Sequence, residues 1–514
     1  MRNAEGGILL LQPERLKKEE KAMKESKLLK ALDYRQTLTL TENGATAYNT
    51  SGDALLDLFA QAGSLRCRMD AVDRKFALAL TEDRLLAAKL AFYTRDARGG
   101  LGEREAGRHM FAVMADMEPE IMRRNLALIP YFGRWDDVIA LMDTPVHDDV
   151  IAMIREQLER DMEAVKNGEP VSLLAKWLPS INTSSRRARL SGARIARELG
   201  MSERNYRKTL SALRSALNVT EVRMTARDYD SIRYESVPSY AMKNYRKAFA
   251  RNDRQRFTDY MERVEKGDAV IRSAVLYPYD ITEKYIVYSG WRAGMRAVDS
   301  VLEAQWKALP NYVEGENNFL VMVDVSGSMY GRPMATSIGL GIYFAERNKG
   351  AYANTFMTFT DVPRLVRISG DTLRDKIASV LAAGVGYNTD LELAFETVLE
   401  TAKSCRMPQE EMPKSIIVIS DGEIDSLTRQ TKWGFVDEMR SRFAEAGYIM
   451  PNLVLWNVES RQDVFHASQK TYGVQMCSGQ SASVFLSLIR NVGTDPYEYM
   501  LKVLNDERYD AVTV

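Results

Sequence analysis

Five short stretches of almost unbroken apolar residues constrain this chain more tightly than any other feature: Phe319 to Val323, Thr355 to Phe359, Ser415 to Ile419, Leu453 to Val458 and Val474 to Cys477. A strand with one wet face alternates apolar and polar residues, whereas a strand covered on both faces has no such need. Helical stretches such as Leu391 to Lys403 and Val436 to Ala444 separate the segments. Strand and helix alternating over residues 313–514 predict a doubly wound α/β domain on a mostly parallel sheet.

Residues 36–312 keep a different period. Ile151, Ile154, Leu158, Met162 and Val165 recur at helical offsets, and Asn167-Gly168 supplies a stop. Leu86, Leu90 and Tyr93 form a similar stripe, as do Met110, Met114 and Met117, while Pro119-Glu120 reads as a helix start that runs toward Pro130 or Gly133. These patterns predict an α-helical domain of HEAT-like repeat type, inferred from helix density because no fixed-period repeat is present. Residues 1–35, with Lys17-Lys18-Glu19-Glu20-Lys21, read as a solvated helix or a mobile extension.

The chain carries 70 Lys+Arg and 70 Asp+Glu, yet the balance is uneven. Residues 313–514 hold 19 basic and 26 acidic side chains, which leaves 51 and 44 for the first 312 residues. Residues 176–256 alone hold 19 basic against seven acidic, interleaved with Trp177, Tyr206, Tyr229, Tyr234, Tyr240 and Tyr245. Basic groups bind phosphates and aromatic faces stack bases, so the mixture suits RNA or single-stranded DNA. A solvated arginine-rich helical surface with its tyrosines in the core has the same composition. No apolar run approaches the roughly 20 residues of a membrane span, and the N-terminus lacks the zones of a secretory signal. The chain is expected to act in the cytoplasm, as a monomer and away from membranes. Three scattered cysteines and three scattered histidines exclude a disulfide framework and a His-based metal site.

The first apolar segment runs into Asp324-Val325-Ser326-Gly327-Ser328 and the third into Ser420-Asp421-Gly422-Glu423, with the polar loop Gly386-Tyr387-Asn388-Thr389-Asp390 between them in the chain. Ligands of open α/β sheets bind beyond the carboxyl ends of the strands. Hard oxygen ligands without nitrogen or sulfur suit Mg²⁺, with Mn²⁺ or Ca²⁺ as substitutes. Each segment alone is also a common turn or cap. Together and in this order they resemble the metal-ion-dependent adhesion site of von Willebrand factor A domains. That resemblance implies that Ser326, Ser328 and Thr389 contact the metal directly, that Asp324 and Asp421 act largely through water, and that a protein partner's carboxylate takes the sixth position. It assigns no role to Asp390. A nucleotide-cradling loop is not indicated, because Gly-x-x-x-x-Gly-Lys-Ser/Thr is absent.

A helical region with Tyr93-Thr94-Arg95-Asp96-Ala97-Arg98-Gly99-Gly100, Gly102-Glu103-Arg104-Glu105, Gly133-Arg134-Trp135-Asp136-Asp137 and Lys176-Trp177-Leu178-Pro179-Ser180, followed by an A domain, resembles the Ro autoantigen family with its TROVE module. The layout is also similar to an uncharacterised group of plant and phage proteins. The Ro resemblance implies a ring of helical repeats closed by the A domain, with structured small RNAs on the outer basic surface and single-stranded RNA ends in the central hole. By carry-over Arg95, Arg98, Lys176, Arg186 and Arg187 face RNA; the competing reading of the Arg/Asp and Trp/Asp sets is that they staple helices together. The expectation is a non-catalytic RNA-binding protein, with a metal-dependent scaffold protein as the alternative and no nucleophile paired with a base to suggest an enzyme.

Overall fold

The computed structural model describes residues 38–514 apart from 43, 45, 218, 290–291, 314–317, 360–361, 384–389 and 425–434. All five predicted strands form, as β5 (Phe319–Val323), β6 (Thr355–Thr358), β8 (Ser415–Ser420), β9 (Asn452–Asn457) and β10 (Val474–Ser478). With β7 (Leu365–Arg367) they make one six-stranded sheet in the order β10-β9-β8-β5-β6-β7, parallel except for the β6–β7 pair. Every residue of β5, β8 and β10 is buried, which is why their sequences do not alternate. The edge strand β7 was not predicted, because its three residues are largely exposed and show no apolar run. Two antiparallel ribbons also escaped the periodicity: β1 (Leu38–Leu40) with β2 (Thr46–Tyr48), and β3 (Ile286–Ser289) with β4 (Arg292–Met295).

Ahead of the sheet the described chain is mainly helical. The helix His147–Asn167 ends at Gly168, whose φ of 71° is the left-handed cap that the sequence signalled. Pro119 opens the helix Pro119–Asn125 at its first turn. Of the predicted stripes, Ile151, Ile154 and Leu158 are buried, as are Met110 and Met114, while Met117 points outward. No helix among the described residues is long and apolar enough to cross a membrane.

The switch in strand order falls between β5 and β8, because the chain leaves β5 toward β6 on one side and returns to β8 on the other. A crevice opens at such a point beyond the carboxyl ends of the two strands. The helix Arg332–Arg347, which follows β5, packs across β5, β6 and β8 and against the helix Pro278–Tyr285. Gly339 permits that contact: a Cβ there would stand 3.0 Å from Thr282 Oγ1 and 3.1 Å from the Pro278 backbone.

Both halves share one apolar core running from Leu55 to Val512, and a smaller cluster gathers Ile232, Tyr234, Met242, Phe249, Phe257 and neighbours. The halves meet backbone to backbone at Gly63 and Gly479, where a Cβ on Gly63 would stand 2.6 Å from Gly479 N. They also meet through polar groups. The fully buried Asp96 accepts hydrogen bonds from the Arg508 guanidinium, including Nη2 at 2.9 Å, from the Tyr509 hydroxyl at 3.2 Å and from Arg98 N at 3.0 Å. Asn125 clasps Thr513, donating to its carbonyl at 2.6 Å and accepting from its N–H at 3.0 Å. Removing the cation from this clamp leaves a buried carboxylate, so Arg508→Met is expected to lower unfolding free energy by about 2–3 kcal/mol, below the full cost of breaking a wholly buried pair because Arg508 is partly exposed. Urea denaturation followed by circular dichroism measures it.

Candidate functional site

Beyond β5 the chain turns at once. Asp324 N still donates to Ile419 O at 3.2 Å, extending the ladder with β8, while Asp324 Oδ1 accepts from Ser326 N at 2.9 Å and folds the loop back. Ser326 precedes a 3₁₀ turn, Gly327–Met329, which brings its hydroxyl to 3.1 Å from the Ser328 hydroxyl. Beyond β8, Asp421 Oδ1 accepts from Glu423 N at 3.2 Å. Asp324 and Asp421 are 1% and 2% exposed, and the second carboxylate oxygen of each, Oδ2, is buried with no hydrogen-bond partner. Burial, reinforced by the negative charge of Asp421, pushes the Asp324 carboxyl up to about 6.

Two buried carboxylates with orphaned oxygens, beside two half-buried hydroxyls, form a donor set that fits a hard divalent cation. Asp324, Ser326, Ser328 and Asp421 are thus brought together. Thr389 lies outside the described residues. Asp390, left without a role by the sequence, caps the helix Leu391–Cys405 by accepting from Leu393 N at 2.9 Å.

One residue of this site was missed. Arg461, four residues past the end of β9, reaches over the centre: its Nη2 donates to Ser328 O and stands 3.9 Å from Asp421 Oδ2. The same guanidinium lies 3.9 Å from Glu459 and 3.9 Å from Glu42, a residue of the turn after β1. The signal was available, since β9 ends at the same sheet edge as β5 and β8 and runs into the charged loop Glu459-Ser460-Arg461. Below the same edge, Ala60, Gln61, Ser420, Gly422, Asn457, Phe465 and His466 line a cavity of about 40 Å³, and His466 Nε2 donates to Gly422 O at 2.8 Å.

The proposed RNA-facing residues separate into two groups. Arg95 is corrected: it is 3% exposed and its Nε pairs with Asp137 at 2.7 Å, inside a cluster in which Arg108 also binds Asp137 at 2.7 Å and Asp136 at 2.5 Å. Asp137 in addition accepts from Arg134 N at 2.9 Å, and the Arg134 guanidinium stacks over Trp177 with 4.1 Å to the ring centroid. The Arg-Asp and Trp-Asp motifs staple helices. Arg98, Arg186 and Arg187 are exposed and Lys176 is half-buried; Arg98 donates to Tyr131 O at 2.9 Å.

Around Arg186 and Arg187 the surface is strongly cationic. The helices Arg186–Glu198 and Glu203–Ala216 pack together and also expose Arg197, Arg204, Arg207 and Lys208. Among the described residues none of these six cations has an acidic partner, whereas Arg194 on the same helix pair is neutralised by Asp143 and Glu198. The interleaved aromatics are less available: Tyr206 and Tyr234 are core residues, and the Tyr240 hydroxyl is held by Asp280 at 2.6 Å.

A family model described as a domain of unknown function, DUF2828, matches residues 41–144 and 143–317, together more than half of the chain, and one described as DUF7788 matches residues 318–510. An uncharacterized protein of Acanthamoeba polyphaga mimivirus is 28% identical, covering 91% of this chain and 87% of its own length. The crystal structure of the Deinococcus radiodurans RO (RSR) protein superposes with a TM-score of 0.45 at 15% identity, covering 84% of this chain and 92% of that one.

The orphaned carboxylates set an expected response to metal. Saturating Mg²⁺ or Mn²⁺ at about 100 times its dissociation constant raises folding stability by about 2.7 kcal/mol, read as an upward shift in Tm. Asp324→Asn is expected to abolish that shift and to raise Tm in chelator, since a neutral amide removes a buried charge and with it the repulsion from Asp421. An unchanged metal response in the variant would place the binding elsewhere.

Proposed function

The chain belongs to the family described as domain of unknown function DUF2828, and from its geometry we propose that it is a non-catalytic RNA-binding protein of Ro-like layout whose sheet edge offers a divalent-metal site to a partner. The observation that carries the RNA reading is the helix pair spanning Arg186–Ala216, with seven exposed cations, Arg189 included, that no acid of the described chain neutralises. A polyanion would find such a face already free of competing acids. Phosphates supply that charge, and their release of counterions makes the binding steeply salt-dependent.

The metal site acts separately. Asp324, Ser326, Ser328 and Asp421 would hold the ion, which would supply an electrophilic position for a partner's carboxylate. The buried orphan oxygens also favour a second reading, a metal-dependent protein-interaction scaffold acting in the cell without RNA. Under that reading Asp324→Ala abolishes capture of a protein partner by the intact chain.

Fluorescence anisotropy with small structured and single-stranded RNAs tests the proposal. Affinity is expected to fall steeply with salt, and Arg186→Gln with Arg187→Gln and Arg204→Gln to reduce the slope of log K against log salt by about one unit for each lost phosphate contact. No binding at low salt would sink the RNA reading. Arg95→Gln is expected to behave differently: it costs about 1–3 kcal/mol of stability by removing one of the two guanidinium partners of the buried Asp137, Arg108 being the other, yet leaves RNA affinity unchanged in protein that remains folded.

A further inference from the structure

We propose that Arg461 is an internal counter-cation of the acid centre, which a divalent ion displaces onto Glu42 and Glu459. The inference rests on the metal-site reading above and concerns what holds the site in its metal-free state. Asp324 and Asp421 share one buried edge, and each keeps an orphaned carboxylate oxygen. Arg461 is the cation that the described residues place beside Asp421. It binds the Ser328 carbonyl, on the turn that carries both serine hydroxyls, and sits 3.9 Å from the orphaned oxygen of Asp421. That separation is too long for a hydrogen bond but short for a charge interaction of low screening.

A guanidinium cannot shed its proton, so it can yield to a second cation only by moving. The structure offers it somewhere to go. Its Nη2 is 3.9 Å from Glu459 Oε2 and its Nη1 3.9 Å from Glu42 Oε2, so a short swing exchanges the buried Asp421 for two carboxylates on the rim. The Arg461 side chain is 36% exposed, which leaves room for the motion. Glu42 is itself fixed, with its N–H donated to Glu423 Oε2 at 2.6 Å and its Oε1 accepting from Gln462 Nε2 at 3.2 Å. Glu42 belongs to the turn of the β1–β2 ribbon, so entry of a metal would tighten Arg461 onto that ribbon and link occupancy to the contact between the halves.

Isothermal titration of Mg²⁺, and separately Mn²⁺, into the full chain tests this with wild type, Arg461→Met and the pair Glu42→Gln with Glu459→Gln. Arg461→Met is expected to bind metal about tenfold more tightly, because a like charge has left the centre, and the glutamine pair more weakly, because the displaced guanidinium has lost its receivers. Metal affinity that is unchanged or weaker in Arg461→Met overturns the proposal. If neither wild type nor Arg461→Met takes up metal, the metal-site reading falls and takes the proposal with it. A measurement on wild type needs no variant to fold: phenylglyoxal modification of Arg461, followed by peptide mass spectrometry, should run more slowly with Mg²⁺ than with chelator, because two carboxylates then hold the guanidinium protonated. A rate indifferent to Mg²⁺ counts against displacement.

Discussion

The register between β5 and β8 decides what the rest of the site must do. Val323 lies beside Ile419, and the ladder continues through Asp324 N, so the first loop residues after both strands are delivered to the same buried edge. Burial above all, and then the neighbouring charge of Asp421, makes Asp324 resist ionisation there. The serine turn, the Asp421 loop and the arginine arriving from β9 are successive answers to one electrostatic problem. The crevice at the strand-order switch is therefore a place where positive charge is required.

Much of this was legible because the sequence signals were local. Strands buried on both faces cannot hide their continuous apolar character, and a tight Asp-x-Ser-x-Ser turn leaving a strand announces itself in five residues. What was not legible depended on distance in the chain or on burial. Arg461 joins the site from a loop 133 residues beyond Ser328, so no spacing rule links the two. Arg95 and Arg98 stand three residues apart in one motif, yet the first is sealed against Asp137 and the second is exposed; composition is identical for a staple and for a contact surface. The basic, aromatic stretch divided in the same manner, with its arginines on helix surfaces and Tyr206 and Tyr234 in the core.

The formal neutrality of the chain is the sum of two surfaces that work in opposite senses. One gathers carboxylates and withdraws them from water, which makes them expensive to leave unneutralised. The other leaves arginines and a lysine in water on a helix pair, where an unpaired charge costs little and remains available. Nothing in the described structure brings these two surfaces into contact, so a cation at the first and a polyanion at the second need not compete.

The clamp at Asp96 adds a constraint in time. Its guanidinium partner lies 412 residues later in the chain, so a ribosome working at about 5–20 residues per second needs roughly 20–80 s to provide it. During that interval the helices around residues 54–139 are complete in sequence but lack the strap that closes over them. Contacts of such long range slow folding, and they leave the nascent helical half open to chaperones and proteases until the sheet and its trailing segment have arrived. Assembly of the two halves is in this sense a late event, and until it happens Asp96 lacks the Arg508 and Tyr509 donors that satisfy it.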